Sequence, residues 1–206
     1  MKIKESKQII IVVVLLAAII FIYMRIMRKR NLVTSAKNEL IFWGGRNENE
    51  TAVHSRLVDY WQKGAGWDWI TLDNIEEFDS KYAWSAAFIS YIARKDYFNF
   101  PASATHANYT VWARERANQG HTAQIAVETH SYKPRPGDIV IKKRGYTGDL
   151  AGLYPTAKTH GDIVVENNGN YITVIGGNIS NSVTETIIPA TNGFINHSDW
   201  IAVIKM

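Results

Sequence analysis

The sequence predicts an α+β domain preceded by one membrane-spanning helix. Three observations lead there. A long apolar run stands near the start. Apolar residues at helical spacing fill the first half of the remaining chain. Short apolar segments divided by Gly, Asn and Pro fill the second half, a change from helical to strand period.

The apolar run is Ile9–Met24, sixteen residues without a charge or an amide. As a helix it reaches about 24 Å, slightly short of a hydrocarbon core, and snorkelling Lys7 and Arg25 can extend it. It is flanked by Lys2, Lys4 and Lys7 on one side and by Arg25, Arg28, Lys29 and Arg30 on the other. No small-x-small cleavage pattern succeeds it, which favours an uncleaved anchor over a signal peptide. The basic residues after the run weakly favour a cytoplasmic carboxyl side. Residues 1–30 form the anchor with its basic flanks, 31–50 read as a juxtamembrane linker, and 51–206 form the α+β domain.

In the domain, Val53, Leu57 and Tyr60/Trp61 predict a helix from about Thr51, stopped by Gly64 and Gly66. Trp84, Phe88, Tyr91 and Ile92 place a second helix over Tyr82–Arg94. A third runs from His106 to Asn118, with Gly120 as its stop. Strands are expected at Asp138–Lys142, His160–Glu166, Tyr171–Ile175 and Trp200–Lys205. Asn167-Asn168-Gly169-Asn170 should turn the middle two into an antiparallel hairpin. The second helix should begin beside the edge of that sheet.

Composition removes several classes of function. The 206 residues include 23 Lys and Arg against 19 Asp and Glu. The first 30 residues hold seven of those bases and one acid, so the rest carries a small net negative charge. A nucleic-acid partner gains no support from that balance. With no cysteine, disulfides, thiolate metal sites and thiol nucleophiles are excluded. No compact spacing of ligands suggests a metal, although His106, His160 and Asp162 are the candidates in kind, and no cofactor motif is present.

Three segments carry a resemblance: Trp84-Ser85-Ala86-Ala87-Phe88-Ile89-Ser90-Tyr91; Pro136-Gly137-Asp138-Ile139-Val140 followed by His160-Gly161-Asp162-Ile163-Val164; and Val174-Ile175-Gly176-Gly177-Asn178. In order and spacing, over roughly residues 52–205, they resemble a bacterial domain family related to the NlpC-type and CHAP papain-like peptidases and amidases. The resemblance implies a papain-like fold and hydrolysis of cell-wall amide bonds. It places Ser85 where those enzymes have their cysteine, His160 at the base position and Asn178 as the orienting group. It also places His106 along the cleft. Trp84, His106, Tyr109 and Asp162 are the candidates for substrate contact, and peptidoglycan or a muropeptide is the implied partner, beside membrane lipid along residues 9–24. The alternatives are a catalytically silent wall-binding or scaffold protein, and a toxin or phage-derived lysis factor using the same chemistry.

The residues themselves admit plainer roles. Ser85 at a helix start can cap or pack. A catalytic serine there needs a base within about 3 Å and donors for an oxyanion, which helix-terminal amides can supply. His160 can be a polar residue at a strand end. Its Cα lies about 6.6 Å from that of Asp162 along a strand, which argues against a direct bond and in favour of Asn178 as its partner. His106 can bind substrate or cap its own helix. Asp138, after Pro-Gly, reads as a turn-bonding residue. Trp67, Trp69, Trp84, Tyr91, Tyr109 and Trp112 can wall a groove or fill a core.

Overall fold

The computed structural model describes the backbone of residues 2–206 and the side chains of residues 10–206. Met1 and the side chains of Lys2–Ile9, including the bases before the apolar run, lie outside the described residues. Helix α1 (Lys2–Trp43) carries the apolar run, whose side chains from Ile10 to Met24 are exposed. It is long and apolar enough to cross a membrane.

The same helix then enters the domain. Leu32, Ala36 and Trp43 are fully buried, at the four- and seven-residue spacing of one helix face. The stretch 31–50, expected as a linker, is thus helical to Trp43 and part of the core. Polar Lys37, Asn38 and Glu39 interrupt the stripe in the sequence. Glu39 is itself buried, and its carboxylate accepts from Tyr60 Oη at 2.7 Å and Arg56 Nη1 at 2.5 Å.

Helix α2 (Thr51–Asp59) runs on as a π-helical turn, Tyr60–Ala65, and stops at Gly66 with φ +78°. The wide turn buries both Tyr60 and Trp61. Trp43 Nε1 donates to Tyr60 Oη at 2.9 Å, and its ring stacks on Trp84 with centroids 4.8 Å apart. Such a stack adds about 0.5–1.5 kcal/mol beyond burial. After a short α3 (Ile75–Asp79), α4 (Ser85–Arg94) buries every residue but Arg94. It starts three residues later than the spacing predicts, because Lys81 and Tyr82 donate back to the Phe78 carbonyl in a separate turn. Helix α5 (His106–Asn118) has the predicted bounds.

Six strands lie among the described residues: β1 (Ile125–Val127), β2 (Ile139–Lys143), β3 (Thr159–Asn167), β4 (Tyr171–Ile179), β5 (Ser182–Pro189) and β6 (Trp200–Lys205). They form one antiparallel sheet in the order β1-β6-β2-β3-β4-β5. The expected hairpin is present, with Ile163 opposite Ile175 and Val164 opposite Val174. Strands β1 and β5 were not anticipated. The first is three residues long, and the second alternates weakly, with Ile187 exposed.

Strand period divides the core in two. Ile139, Ile141, Ile163, Val165 and Ile175 pack under the helices. Val140, Val164, Val174 and Val203 pack on the opposite face, against Tyr132, Ile195 and Trp200. Helix α4 lies across β3 and β4, which are interior strands, so it does not sit at a sheet edge as expected. Asp138 does more than close its turn. Its buried carboxylate accepts from Arg135 N at 2.8 Å, Lys29 Nζ at 2.5 Å, Tyr132 Oη at 3.1 Å and Met206 N at 3.1 Å. It ties α1 and β6 to the head of β2.

The approach of α4 to β4 depends on Gly177. A β-carbon there would lie 2.6 Å from Trp84 Cζ3 and 2.7 Å from Phe88 Cγ. Gly177→Ala should lower stability by about 1–3 kcal/mol through overpacking. Urea unfolding of the full chain in detergent micelles measures this; an unchanged midpoint would mean the helix is not seated on that residue.

Candidate functional site

Ser85 is the first residue of α4. The first bond of the helix ladder runs from Phe88 N to Trp84 O at 2.9 Å. The amides of Ser85, Ala86 and Ala87 therefore lie outside the ladder at the helix start. Trp84 fixes this end of the helix. It stacks on Trp43 and Tyr60, and its Nε1 donates to Glu48 Oε2 at 2.7 Å.

The Ser85 hydroxyl meets His106, the first residue of α5. Ser85 Oγ and His106 Nε2 are hydrogen-bonded at 2.8 Å. The other ring nitrogen, His106 Nδ1, is hydrogen-bonded to Tyr109 Oη. His106 and Tyr109 are three residues apart and share one face of α5. The result is a hydrogen-bonded chain of hydroxyl, imidazole and phenol. Ser85 is 3% exposed and His106 4%, and both line one cleft of about 430 Å³. Arg144 and Lys158 line the same cleft and make it cationic.

Burial, followed by the neighbouring His160 and Arg144, holds His106 well below the ordinary imidazole range. Burial and the Asp162 carboxylate push Tyr109 well above the ordinary phenol range. Both groups are neutral at pH 7. A neutral imidazole has one donor and one acceptor nitrogen. With hydrogen on Nδ1, donated to Tyr109, Nε2 accepts the Ser85 proton. With hydrogen on Nε2, the imidazole donates to Ser85 and accepts from Tyr109.

The structure does not join Ser85, His160 and Asn178 as the sequence suggests. His160 Nε2 donates to Asp162 Oδ1 at 2.9 Å, the bond that Cα spacing argued against. Two side chains on one strand face can lean together and close a gap that their Cα atoms keep open. Strand alternation puts both on the side of Val164, away from α4, while Gly161 faces the helices. Because Gly161 carries no side chain, the His106 and His160 rings still approach to 5.2 Å between centroids. Asn178 lies within β4 at a register shift, with φ +56°, and makes no side-chain hydrogen bond among the described residues.

Of the expected substrate contacts, His106 alone lines the cleft. Trp84 and Tyr109 are fully buried and Asp162 nearly so, each engaged inside the protein. Trp67 stacks between Trp61 and Trp69, Tyr91 packs on Tyr60, and Trp112 packs on Phe100. Trp69 is the one large exposed aromatic of the proposed groove set. The role of His106 as partner of Ser85 was missed in the sequence. The available signal was His106 and Tyr109 at helical spacing, just after the Ser103-Ala104-Thr105 turn.

Residues 37–205 match a family described as "Uncharacterized protein conserved in bacteria (DUF2272)", and the chain belongs to that family. No curated protein and no solved structure matches the chain.

The buried neutral His106 has a consequence for stability. Its folded pKa is depressed, so below about pH 6.5 the unfolded chain binds a proton that the folded chain does not. This contribution is complete above pH 6.5 and is lost as pH falls, at about 1.4 kcal/mol per pH unit down to the folded pKa. His106→Gln removes the titration. The stability gap between wild type and variant should narrow or reverse from pH 7 to pH 5 in urea unfolding. A gap independent of pH would contradict a neutral buried imidazole.

Proposed function

We propose that this chain is a membrane-anchored hydrolase of papain-like type that cleaves peptidoglycan amide bonds, with Ser85 as nucleophile and His106, in place of His160, as base. The observation that carries the proposal is the 2.8 Å bond between Ser85 Oγ and His106 Nε2 at the floor of a cleft. A nucleophile bonded to a base whose far side is oriented by a third group is the general pattern of activated serine. A nucleophile at a helix start, packed on an antiparallel sheet, also agrees with the papain-like resemblance.

In the proposed reaction Ser85 Oγ attacks the amide carbon as its proton passes to His106 Nε2. In the productive tautomer Nδ1–H is donated to Tyr109 Oη, which holds the ring in place. The amides at the start of α4 face the developing oxyanion. Collapse breaks the C–N bond, and the departing amine takes the proton from His106. Water then attacks the acyl carbon, giving its proton to the same nitrogen, and that proton passes back to Ser85 Oγ as the C–O bond breaks and the acid leaves. Arg144 and Lys158 suit a wall peptide, which carries carboxylates. Such a substrate puts the domain outside the cytoplasm, on the far end of a helix that stays in the membrane.

The second reading is a silent domain that binds the wall. One observation favours it, the 3% exposure of Ser85; the tautomer in which His106 donates to Ser85 is the one such a domain would hold. Release of soluble muropeptides from purified walls, measured by chromatography, separates the two. Ser85→Ala should lower the rate by at least about 10³-fold, and His106→Ala by roughly 10²–10⁴-fold. His160→Ala should cost less than His106→Ala. If wild type sediments with walls of several chemistries and releases nothing, the silent reading replaces the hydrolase. A larger loss at His160 than at His106 would return the base to the strand.

The anchor is tested separately. After alkaline carbonate extraction the full-length chain should stay in the membrane pellet; its release would contradict a spanning helix.

A further inference from the structure

A second cavity, of about 620 Å³, opens where α1 leaves its apolar run, and it shares no lining residue with the Ser85 cleft. Phe21, Ile22 and Ile26 of α1 line its apolar part. Arg25 and Arg30 of the helix, with Arg135 and Lys205 of the domain, line its polar part.

Helix rise sets its depth. Residues 25–30 span about 9 Å beyond Met24, the layer that headgroups occupy outside a hydrocarbon core. The domain is held at the same depth by two bonds to this part of α1. Arg25 Nη2 donates to Thr122 O at 3.3 Å, and Lys29 Nζ pairs with Asp138 at 2.5 Å. Asp138 neutralises Lys29. Arg25, Arg30, Arg135 and Lys205 have no carboxylate partner among the described residues. The Arg135 and Lys205 cations flank one ring, 5.9 and 4.8 Å from the Tyr132 centroid.

We propose that this cavity binds the phosphate headgroup of an anionic phospholipid, with an acyl chain along Phe21, Ile22 and Ile26. Four unpaired cations beside an apolar wall match a ligand that is anionic at one end and hydrocarbon at the other. Contribution from both helix and domain makes this a built site rather than a basic flank alone. Bound lipid would hold the domain flush against the bilayer. The proposal rests on the anchor reading but not on the hydrolase.

The test inserts the full chain into bilayer nanodiscs containing equal phosphatidylglycerol and phosphatidylcholine, and measures retained lipid by native mass spectrometry. Wild type should retain phosphatidylglycerol preferentially. Each cation beside an anionic surface is worth roughly fivefold, so Arg135→Gln with Lys205→Gln should reduce that preference by at least about tenfold. Lys63→Gln with Lys81→Gln, which removes equal charge from other surfaces, should not. Equal retention of both lipids by wild type, or equal loss in both double variants, would overturn the site. Displacement of the lipid by glycerol phosphate at matched concentration would also overturn it, in favour of a soluble phosphate ester. Failure to insert even into pure phosphatidylcholine would refute the anchor itself, whereas insertion without lipid preference refutes the lipid site alone.

Discussion

The site depends on missing side chains at Gly161 and Gly177. A β-carbon at Gly161 would sit 2.8 Å from His106 Nδ1 and 3.1 Å from Tyr109 Oη. One at Gly177 would strike Trp84 and Phe88. Their absence lets α4 and α5 rest directly on β3 and β4, and it sets the distance between the two helix starts. Ser85 and His106, each the first residue of its helix, meet at hydrogen-bond length because of that seating. A methyl group at Gly161 would press on His106 itself, whereas one at Gly177 would reach the Ser85–His106 distance only through Trp84 and Phe88, because close packing transmits small displacements.

The helix that carries the apolar run is joined to the same body by buried polar groups. Asp138 and Glu39 have almost no exposure, and a carboxylate so placed is tolerated only with partners. Lys29 and Met206 N supply two of those for Asp138, while Arg56 and Tyr60 supply those for Glu39. Removing one partner leaves an uncompensated buried charge, which costs far more than a surface pair would. The domain is therefore not a bead on a tether. The cleft has a fixed attitude to α1, and a spanning α1 would fix its height above the bilayer.

Much of this architecture was legible in the sequence. The charge-free run, α5, the β3–β4 hairpin and β6 announce themselves by period and by turn residues. Residues 31–43 escaped because polar residues interrupt the Leu32, Ala36 and Trp43 stripe, and the partners that make Glu39 acceptable inside lie about twenty residues away. The candidate nucleophile was visible as a serine at a helix start. Its partner was not, because which histidine reaches it is a question of faces. His160 shares its strand face with Asp162 and Val164, a parity that can be read from sequence. That this face turns away from α4 depends on how the sheet meets the helices, and no local pattern encodes that.

Covalent trapping tests most directly whether Ser85 and His106 act as one chemical unit. A sulfonyl fluoride or fluorophosphonate reacts with a serine whose proton is being removed, and much more slowly with one that is only packed. Trypsin should release the segment from Tyr82 to Arg94, which contains Ser85 and the fully buried Ser90. Fragmentation then assigns any adduct. An adduct on Ser85 is expected in wild type and should be absent in His106→Ala. Labelling of Ser85 that persists undiminished without His106, or no labelling by either probe, would contradict the pairing.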